Sequence, residues 1–386
     1  MKFTAKILEN MNVQYVHLAA QWEHERETLL PKIEFVLKSG QYINSEPVRT
    51  FEKSIEQYLS SKHCIALNSG TDALVLALKL VGVSAGDEII TPPNSFIAST
   101  SSIVHVGATP KFVDVGQDQN IDVQLIEDAI TEKTRAIMPV HLTGRPAEMP
   151  KIIEIAKRYN LAIIEDAAQA VGSSIGGRAV GTWGDIGAFS AHPFKNLNAC
   201  GDAGFIVTDN DEYALRARRL RNHGLEDRNH VTEFGYVSRL DALQATILEH
   251  RLQHLADSIQ KRKRIAAFYS NTIQSEEVIV SNETSIAVEN TFSQFVIQAK
   301  NRNELARFLK SKGIETSINY PVPIHKQKAY IHRFPTHRNS YPITEYQSDH
   351  ILSIPIHSFL TDAQVEYVAQ NIDFFYKNIN LNQTDN

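Results

Sequence analysis

Three short polar segments carry the side chains best suited to chemistry. Lys195 stands on a turn between two apolar segments, and small residues around it leave room for a flat molecule against its amine. Asp166 closes another apolar segment, and Gly70 and Thr71 precede an almost wholly apolar one. Most lysines are solvated surface charges, so Lys195 alone predicts little. An amine, a carboxylate and a phosphate-binding turn together match the attachment points of pyridoxal phosphate.

Each of these residues has a definite role in that interpretation. Backbone N–H groups at the helix start after Gly70, with the Thr71 hydroxyl, can bind a phosphate dianion, and glycine lets the backbone approach it closely. A carboxylate at Asp166 can keep a pyridine nitrogen protonated, which makes the ring an electron sink. Lys195 must be neutral to attack an aldehyde, and desolvation or a Schiff base achieves this. Plain helix caps remain the alternative for the first two sites.

Further side chains that follow predicted strands could complete the site. Gln169 could reach a ring hydroxyl, Ser190 could bind the phosphate, and Phe96 could stack on a flat ring or pack on its own domain. His192 could contact the substrate or cap the turn. Two histidines beside prolines could reach the site from the C-terminal part of the chain, His325 and His357.

The elements that must position these residues alternate between strand and helix. Apolar segments predict strands at 63–67, 88–91, 111–115, 136–140, 161–165, 186–190 and 204–208. Helical spacing covers 22–37, 48–59, 72–81, 123–129 and 149–159. This alternation indicates a largely parallel seven-stranded sheet sandwiched by helices, an α/β fold. The last two strands are joined too closely for a crossover helix, so one of them is antiparallel.

The order of these elements also predicts where a ligand binds. Sheets of this kind bind ligands at the carboxyl ends of their strands, and all three polar segments follow strands at that edge. After a long helix at 240–269, or two helices with a bend, the pattern changes to strands at 292–298 and 314–319 and helices at 304–312 and 361–376. We expect a large domain at 1–250 and a smaller C-terminal α+β domain at 251–386.

Composition excludes several classes of protein. The 386 residues are 42% hydrophobic and 22% charged, with a net charge of -5 and no block of one sign, so nothing indicates a nucleic-acid groove or a basic membrane patch. Cys64 and Cys200 cannot build a disulfide framework, which fits a reducing cytoplasm. Residues 1–10 have no apolar segment of signal-peptide length. We expect a cytoplasmic protein with no membrane or nucleic-acid partner and no metal ion.

Ordered motifs connect these segments to a known family. The chain resembles the DegT/DnrJ/EryC1/StrS aminotransferases, pyridoxal-phosphate enzymes of fold type I that aminate keto-sugars, from about residue 40 to about residue 372. The motifs are SGTDAL (69–74), PVHL (139–142), EDAAQA (165–170), GDIG (184–187), HPFKNL (192–197), RNHG (221–224), SRLD (238–241) and YPVP (320–323).

The resemblance implies a role for each matching residue. Lys195 is the Schiff-base lysine and proton shuttle, and Asp166 pairs with the pyridinium nitrogen. The residues that hold the cofactor are Gly70, Thr71, Phe96, Asp166, Gln169, Ser190 and Lys195. Substrate contacts are expected from His192, Arg239, Tyr320 and His325. The family's fold implies a homodimer with active sites at the interface, and a ping-pong reaction in which L-glutamate converts the cofactor to its pyridoxamine form.

One position departs from the family's pattern. The family has asparagine just before the SRL motif, where it reaches the partner subunit's cofactor phosphate. Here that position is Val237, which cannot donate a hydrogen bond from its side chain. The contact is therefore lost or replaced, with Ser238 and Arg239 as candidates.

The family members differ in substrate. Asp202, after the lysine, resembles members that aminate C3 of nucleotide-linked 6-deoxy sugars, so a nucleotide-linked 3-keto-6-deoxy sugar ranks first, in polysaccharide or lipopolysaccharide biosynthesis. The segment HGLEDRN (223–229) suggests a branch that aminates 8-keto-3,8-dideoxy-octulosonate. That free sugar acid would need arginines near the site, such as Arg178, Arg228 or Arg239.

Three rival functions are weaker. A dinucleotide-dependent oxidoreductase lacks its glycine fingerprint here, because GSSIGG (172–177) has the wrong spacing. A dehydratase with the same cofactor would carry histidine in place of Lys195. A non-catalytic regulator of the same fold would not need the Lys195 and Asp166 pair.

Overall fold

A computed structural model describes residues 11–280, 287–337 and 339–384. The first ten residues, for which we expected no signal peptide, lie outside these ranges. The strands are β1 (His63–Leu67), β2 (Glu88–Thr91), β3 (Thr109–Phe112), β4 (Thr134–Ile137), β5 (Ala162–Asp166), β6 (Ser174–Ile175), β7 (Arg178–Ala179), β8 (Ile186–Ser190), β9 (Gly204–Thr208), β10 (Val278–Val280), β11 (Val288–Glu289), β12 (Phe295–Ala299) and β13 (Ile351–Ile354).

The helices surround these strands. They are α1 (Leu18–Ser39), α2 (Glu46–Leu59), α3 (Gly70–Leu80), α4 (Ile97–His105), α5 (Ile126–Ala129), α6 (Met149–Tyr159), α7 (Asp211–Leu220), α8 (Ala242–Leu252), α9 (Leu255–Thr272), α10 (Arg302–Ser311), α11 (Lys328–Arg333), α12 (Pro342–His350) and α13 (Asp362–Thr384). No helix in the described part of the chain is long and apolar enough to cross a membrane.

The main sheet has seven strands in the order β1-β9-β8-β5-β4-β2-β3. Strand β9 runs antiparallel to both of its neighbours, and the other pairs are parallel. The predicted α/β fold with a mostly parallel sheet is confirmed. Two strands end earlier than predicted, because Val115 pairs with Ile121 and Val140 with Asp166 in isolated bridges outside the strands.

Both faces of the sheet are covered by helices. Along β9, Phe205 packs towards α2 and α8, whereas its neighbour Ile206 packs towards α3 and α7, as expected where successive side chains point to opposite faces. Phe205 stacks on Phe189 of β8 with ring centroids 4.7 Å apart and meets Phe51 of α2 edge-on at 5.8 Å. These buried rings fix the register of β8 and β9 beneath the loop that carries Lys195.

A second sheet, in the order β10-β12-β13, lies in the C-terminal part of the chain. It packs in a separate apolar cluster with α9, α10 and α13. The predicted strand at 314–319 is wrong: Ile314 and Ser317 make only isolated bridges, to Val13 and Ser353. The third strand is instead β13, a four-residue segment that the sequence pattern missed. Helices α8 and α9 form the predicted pair with a bend, and the domain boundary at residue 250 stays a prediction.

Candidate active site

A cavity of about 1120 Å³ opens at the carboxyl ends of the main strands. All of the expected cofactor residues line it, together with two of the four expected substrate residues. These nine residues are Gly70, Thr71, Phe96, Asp166, Gln169, Ser190, His192, Lys195 and Tyr320.

The charges of Lys195 and Asp166 interact with each other in this cavity. Asp166 is the last residue of β5, and the Lys195 turn closes through a bond from the Lys195 backbone N–H to the His192 carbonyl, at 2.8 Å. Burial lowers the pKa of Lys195, and the Asp166 charge opposes this shift. Burial raises the pKa of Asp166, against hydrogen bonds and the charge of Lys195. The lysine amine is therefore more easily neutral than a solvated one.

Two serines that sequence reasoning missed support Asp166. The Ser99 hydroxyl, on the first turn of α4, donates to Asp166 Oδ2 at 2.7 Å, and the Ser95 hydroxyl lies 2.9 Å from the Ser99 oxygen. The Ala168 backbone N–H donates to Asp166 Oδ1 at 3.2 Å. The only sequence feature that indicates Ser95 and Ser99 is their position, four residues apart, after a predicted strand.

The neighbouring carboxylate, Glu165, anchors the end of β5. It is fully buried and accepts four hydrogen bonds of 2.6–3.0 Å, from His141 Nε2 and the backbone N–H groups of Gly181, Trp183 and Gly184. A buried charge needs this number of donors. The network fixes the strand end on which Asp166 stands.

A phosphate cradle forms where α3 begins. Ser69 caps the helix by accepting from the Asp72 backbone N–H at 3.1 Å, and the first N–H groups of a helix have no acceptor within it. A Cβ at Gly70 would lie 2.6 Å from Ser190 Cβ, and one at Gly204 would lie 2.4 Å from the Ser69 carbonyl. Only glycine fits at both positions, so this close-packed turn suits a phosphate group.

Two aromatic rings and an amide border the space for a flat ring. Phe96 is 53% exposed, and its ring centroid lies 5.8 Å from that of Tyr320. Gln169 Oε1 accepts from the Thr143 backbone N–H at 2.7 Å, which leaves the Gln169 amide N–H groups as donors on the cavity side. Burial raises the pKa of the Tyr320 phenol, and Gln169 opposes this shift. Gln169 can thus donate to a ring hydroxyl.

The structure shows that His192 caps the turn, whereas its contact with a substrate stays a prediction. Its exposed ring lines the cavity and also caps the turn, because Nδ1 accepts from the Phe194 backbone N–H at 3.3 Å. His357 lines the cavity too. Burial lowers the pKa of His357 to about 4, so this ring is neutral at pH 7 and Nε2 can donate to the Gln14 carbonyl at 3.1 Å.

The structure does not bring the other two expected substrate residues to this cavity of the single chain, so their contact with a substrate stays a prediction. His325 is buried elsewhere, with Nε2 bonded to Glu345 at 3.1 Å and its ring edge-on to Tyr341 at 4.8 Å. Arg239 donates to Asn222 at 3.0 Å. Side-chain packing within the chain therefore gives both residues other partners.

Comparison with known proteins decides the family. A model of the DegT/DnrJ/EryC1/StrS aminotransferase family matches residues 23–373. The chain belongs to this family. The resemblance seen in the motifs is confirmed, and the protein is a sugar aminotransferase by family.

Two curated relatives are similar over nearly the whole chain. A pleiotropic regulatory protein from Geobacillus stearothermophilus is 38% identical over 95% of this chain and 99% of its own length. A UDP-N-acetyl-3-dehydro-alpha-D-glucosamine 3-aminotransferase from Acidithiobacillus ferrooxidans is 38% identical over 94% of this chain and 97% of its own. Both relatives span the whole of this aminotransferase fold.

Two solved structures are also similar to nearly the whole of this chain. The S. venezuelae protein DesV, in complex with a ketimine intermediate, has a TM-score of 0.92 at 36% identity and covers 95% of this chain and 99% of its own. NtdA from Bacillus subtilis, with bound cofactor PMP, has a TM-score of 0.89 at 30% identity over 96% of this chain and 86% of its own. The aminotransferase fold is thereby confirmed.

The cavity of this aminotransferase also has a wall that the motifs did not predict. Arg262, on α9, lines the cavity and donates to the carbonyls of Phe292, Ser293 and Ile356. Burial lowers the pKa of Arg262 to about 10, against the effect of the nearby Tyr15. No local signal marks Arg262, since it lies in a helix with basic residues on either side.

The structure also limits what replaces the family's usual asparagine at position 237. Val237 is 55% exposed, whereas Ser238 is fully buried. The Ser238 hydroxyl donates to Asn68 Oδ1 at 3.1 Å, beside the phosphate cradle of its own chain. Ser238 and Arg239 therefore both have partners within the chain, and a contact of either with a partner subunit stays a prediction.

Proposed function

We propose that this aminotransferase uses pyridoxal 5′-phosphate to move an amino group from L-glutamate to a nucleotide-linked keto-sugar in polysaccharide or lipopolysaccharide biosynthesis. The observation that carries the proposal is the convergence of Lys195, Asp166 and the Gly70 cradle on one cavity. These are an amine, a carboxylate and an anion site at one sheet edge. The PMP bound to NtdA, a structure of high similarity, supports the same cofactor here.

Residues of this chain would hold the cofactor at three points. The start of α3, with the Thr71 hydroxyl and Ser190, lines the cavity and would bind the phosphate through N–H and O–H donors. Asp166 would accept a hydrogen bond from the protonated pyridine nitrogen, and Gln169 would donate to the ring hydroxyl. When bound, the cofactor supplies an electron sink for negative charge at the reacting carbon.

Lys195 moves the proton. Burial lowers its pKa, so its neutral amine can accept a proton from the carbon of the amino donor in the first half-reaction, and its ammonium form can donate a proton to the carbon that becomes aminated in the second. The same lysine serves both half-reactions because donor and acceptor occupy one cavity in turn.

The nucleotide-linked sugar is favoured over the free sugar acid. The cavity of about 1120 Å³ is larger than the usual ligand pocket of about 300–1,000 Å³, and the Acidithiobacillus relative is named for a UDP-linked 3-keto sugar. Arg178, Arg228 and Arg239, the arginines that the sequence offered for a free acid, do not line the cavity of this chain, although Arg251, Arg262 and Arg264 do. We infer amination at C3 of a nucleotide-linked 6-deoxy sugar.

The proposal includes a cytoplasmic homodimer. Large apolar side chains of α1 are exposed in the single chain, with Phe35 at 73% and Leu30 at 53%, and exposed apolar patches of this kind mark protein interfaces. Cys64 and Cys200 are both free thiols, which supports a reducing compartment.

An absorbance experiment tests the function. The purified protein with pyridoxal phosphate should show a visible band that L-glutamate bleaches and that one keto-sugar restores. Nucleotide-linked 3-keto sugars and the free octulosonate would be compared side by side, and the one that restores the band names the substrate. If no band forms with added cofactor, the enzyme proposal fails and the regulator, whose function would survive Lys195→Ala, replaces it.

A further inference from the structure

Two buried hydroxyl groups connect the loop that carries Phe96 to Asp166. Ser95 is 3% exposed and Ser99 is 1% exposed, and both border the cavity. Ser95 Oγ lies 2.9 Å from Ser99 Oγ, which in turn lies 2.7 Å from Asp166 Oδ2. The pair therefore joins two of the groups expected to contact the cofactor ring.

The direction of these hydrogen bonds follows from the chemistry of the Asp166 carboxylate, the last group in the series. An ionised carboxylate only accepts, so the Ser99 hydroxyl proton must point to Asp166. The Ser99 oxygen then accepts from the Ser95 hydroxyl. The two bonds form a directed chain that ends on Asp166 Oδ2, while Oδ1 accepts from the Ala168 backbone N–H at 3.2 Å.

We propose that Ser99, supported by Ser95, is a positioning residue that holds Asp166 as an oriented carboxylate against the pyridine nitrogen of the cofactor. The inference rests on the proposed function and deepens it. A carboxylate has about four acceptor positions, so the Ser99 and Ala168 bonds fix its plane and leave acceptor capacity for the ring nitrogen. Without Ser99, the Asp166 side chain would lose one of the two bonds that set its rotation.

The ionisation of Asp166 depends on the same contact. Burial favours the neutral carboxyl form of Asp166 and raises its pKa, and the Ser99 hydrogen bond is foremost among the contacts that lower it. The other ionisable groups facing Asp166 are Lys195 after β8, His141 after β4 and Tyr320. None of these donates to Oδ2 as Ser99 does, so loss of the hydroxyl shifts Asp166 towards the carboxyl form, which cannot keep a pyridine nitrogen protonated.

The test is Ser99→Ala in the full-length, cofactor-loaded protein. The single-turnover rate with L-glutamate should fall roughly ten- to hundredfold, the size expected for a hydrogen bond to a charged group. The acidic limb of its pH profile should move to higher pH, because the lost bond favoured the carboxylate. The dissociation constant for pyridoxal phosphate, measured by equilibrium dialysis, should rise severalfold.

Matched variants separate this role from a loss of packing. Ser102 lies one turn later on α4, is fully buried, and donates only to the Ser99 carbonyl at 2.9 Å. Ser102→Ala should therefore keep the wild-type pH limb and cofactor affinity. Ser99→Thr restores the hydroxyl and should recover most of the rate. Ser95→Ala should move the acidic limb of the pH profile to higher pH, by a smaller amount than Ser99→Ala does.

Outcomes for the inference and for the proposed function differ. If Ser99→Ala and Ser95→Ala both keep the wild-type pH limb and cofactor dissociation constant, the positioning role is overturned. The same conclusion follows if Ser102→Ala shifts them as much as Ser99→Ala. Failure of the proposed function would appear in the wild type itself, as the absence of a cofactor band or of its bleaching by L-glutamate.

Discussion

The two walls of the cavity are built in different ways. The sheet-edge wall comes from turns directly after β1, β5 and β8, and its polar groups are linked to one another, as in the contacts of Glu165 and Asp166. The opposite wall comes from distant segments, including Tyr15, Arg262 and His357. The residues proposed for proton transfer therefore stand on a hydrogen-bonded sheet edge, whereas the residues of the opposite wall come from many parts of the chain.

The walls also differ in charge. The sheet edge carries Asp166 and Lys195. The opposite wall combines Arg262, whose pKa burial lowers to about 10, with a neutral His357, whose pKa burial lowers to about 4, and with Tyr320, whose pKa burial raises. Neutral hydroxyl and imidazole groups suit the hydroxyls of a sugar. Substitutions on the sheet edge should therefore impair chemistry, and those on the opposite wall should impair recognition.

The largest effect should come from Lys195→Ala. Removing the amine removes the proton transfer, so turnover should fall at least about a thousandfold while the melting temperature stays near that of wild type. Steady-state assays with L-glutamate and the keto-sugar would measure it. Lys157→Ala, at an exposed position on α6, is the control, and a Lys195→Ala enzyme that still turned over would refute the assigned role.

Asp166→Asn should have the next largest effect. The amide keeps the shape but cannot stabilise a pyridinium charge, so both half-reactions should slow by about two orders of magnitude. Stopped-flow absorbance with each substrate alone would follow the two steps separately. Equal rates in mutant and wild type would mean that Asp166 does not pair with the ring nitrogen.

On the opposite wall, Tyr320→Phe should have a moderate effect. It removes a hydroxyl that lines the cavity, so kcat/KM for the sugar should fall roughly tenfold, the cost of about one hydrogen bond, and the cofactor band should persist. Tyr330→Phe, at a buried tyrosine outside the cavity, should stay within about twofold of wild type. If Tyr320→Phe lost the cofactor band, Tyr320 would belong with the sheet-edge residues that are proposed to hold the cofactor.

His325→Ala should separate stability from catalysis. His325 is buried against Glu345 and Tyr341, away from the cavity, so the free energy of unfolding should fall by about 2 kcal/mol with kcat/KM within about twofold of wild type. Urea unfolding and steady-state kinetics would measure the two quantities. A large loss of kcat/KM without a stability change would restore His325 to the substrate site.

The same comparison shows what the sequence could predict. Lys195, Asp166 and Gly70 were predictable because each directly follows an apolar strand, and strand ends of a parallel sheet meet at one edge. Ser99 was missed because a serine in the first turn of a helix has no distinctive pattern. Its function depends on Asp166, which lies on another strand.

The opposite wall was mostly beyond prediction. Arg239 lies in the SRLD motif and His325 follows the YPVP motif, but the positions of their side chains depend on packing with Asn222 and Glu345 that no local pattern encodes. Strand β13 was missed because its partner β12 becomes adjacent only through the tertiary fold. Contacts between distant segments are set by the whole core and not by local spacing.

The position of β9 has a consequence for the order of assembly. Strand β1 leads into the phosphate cradle, yet its only partner in the main sheet is β9, which is made after every other strand of that sheet. During synthesis β1 can pack against α2 and α3 early, but it gains its strand partner only when β9 leaves the ribosome and inserts between β1 and β8. We therefore expect the proposed phosphate cradle to be completed late in folding.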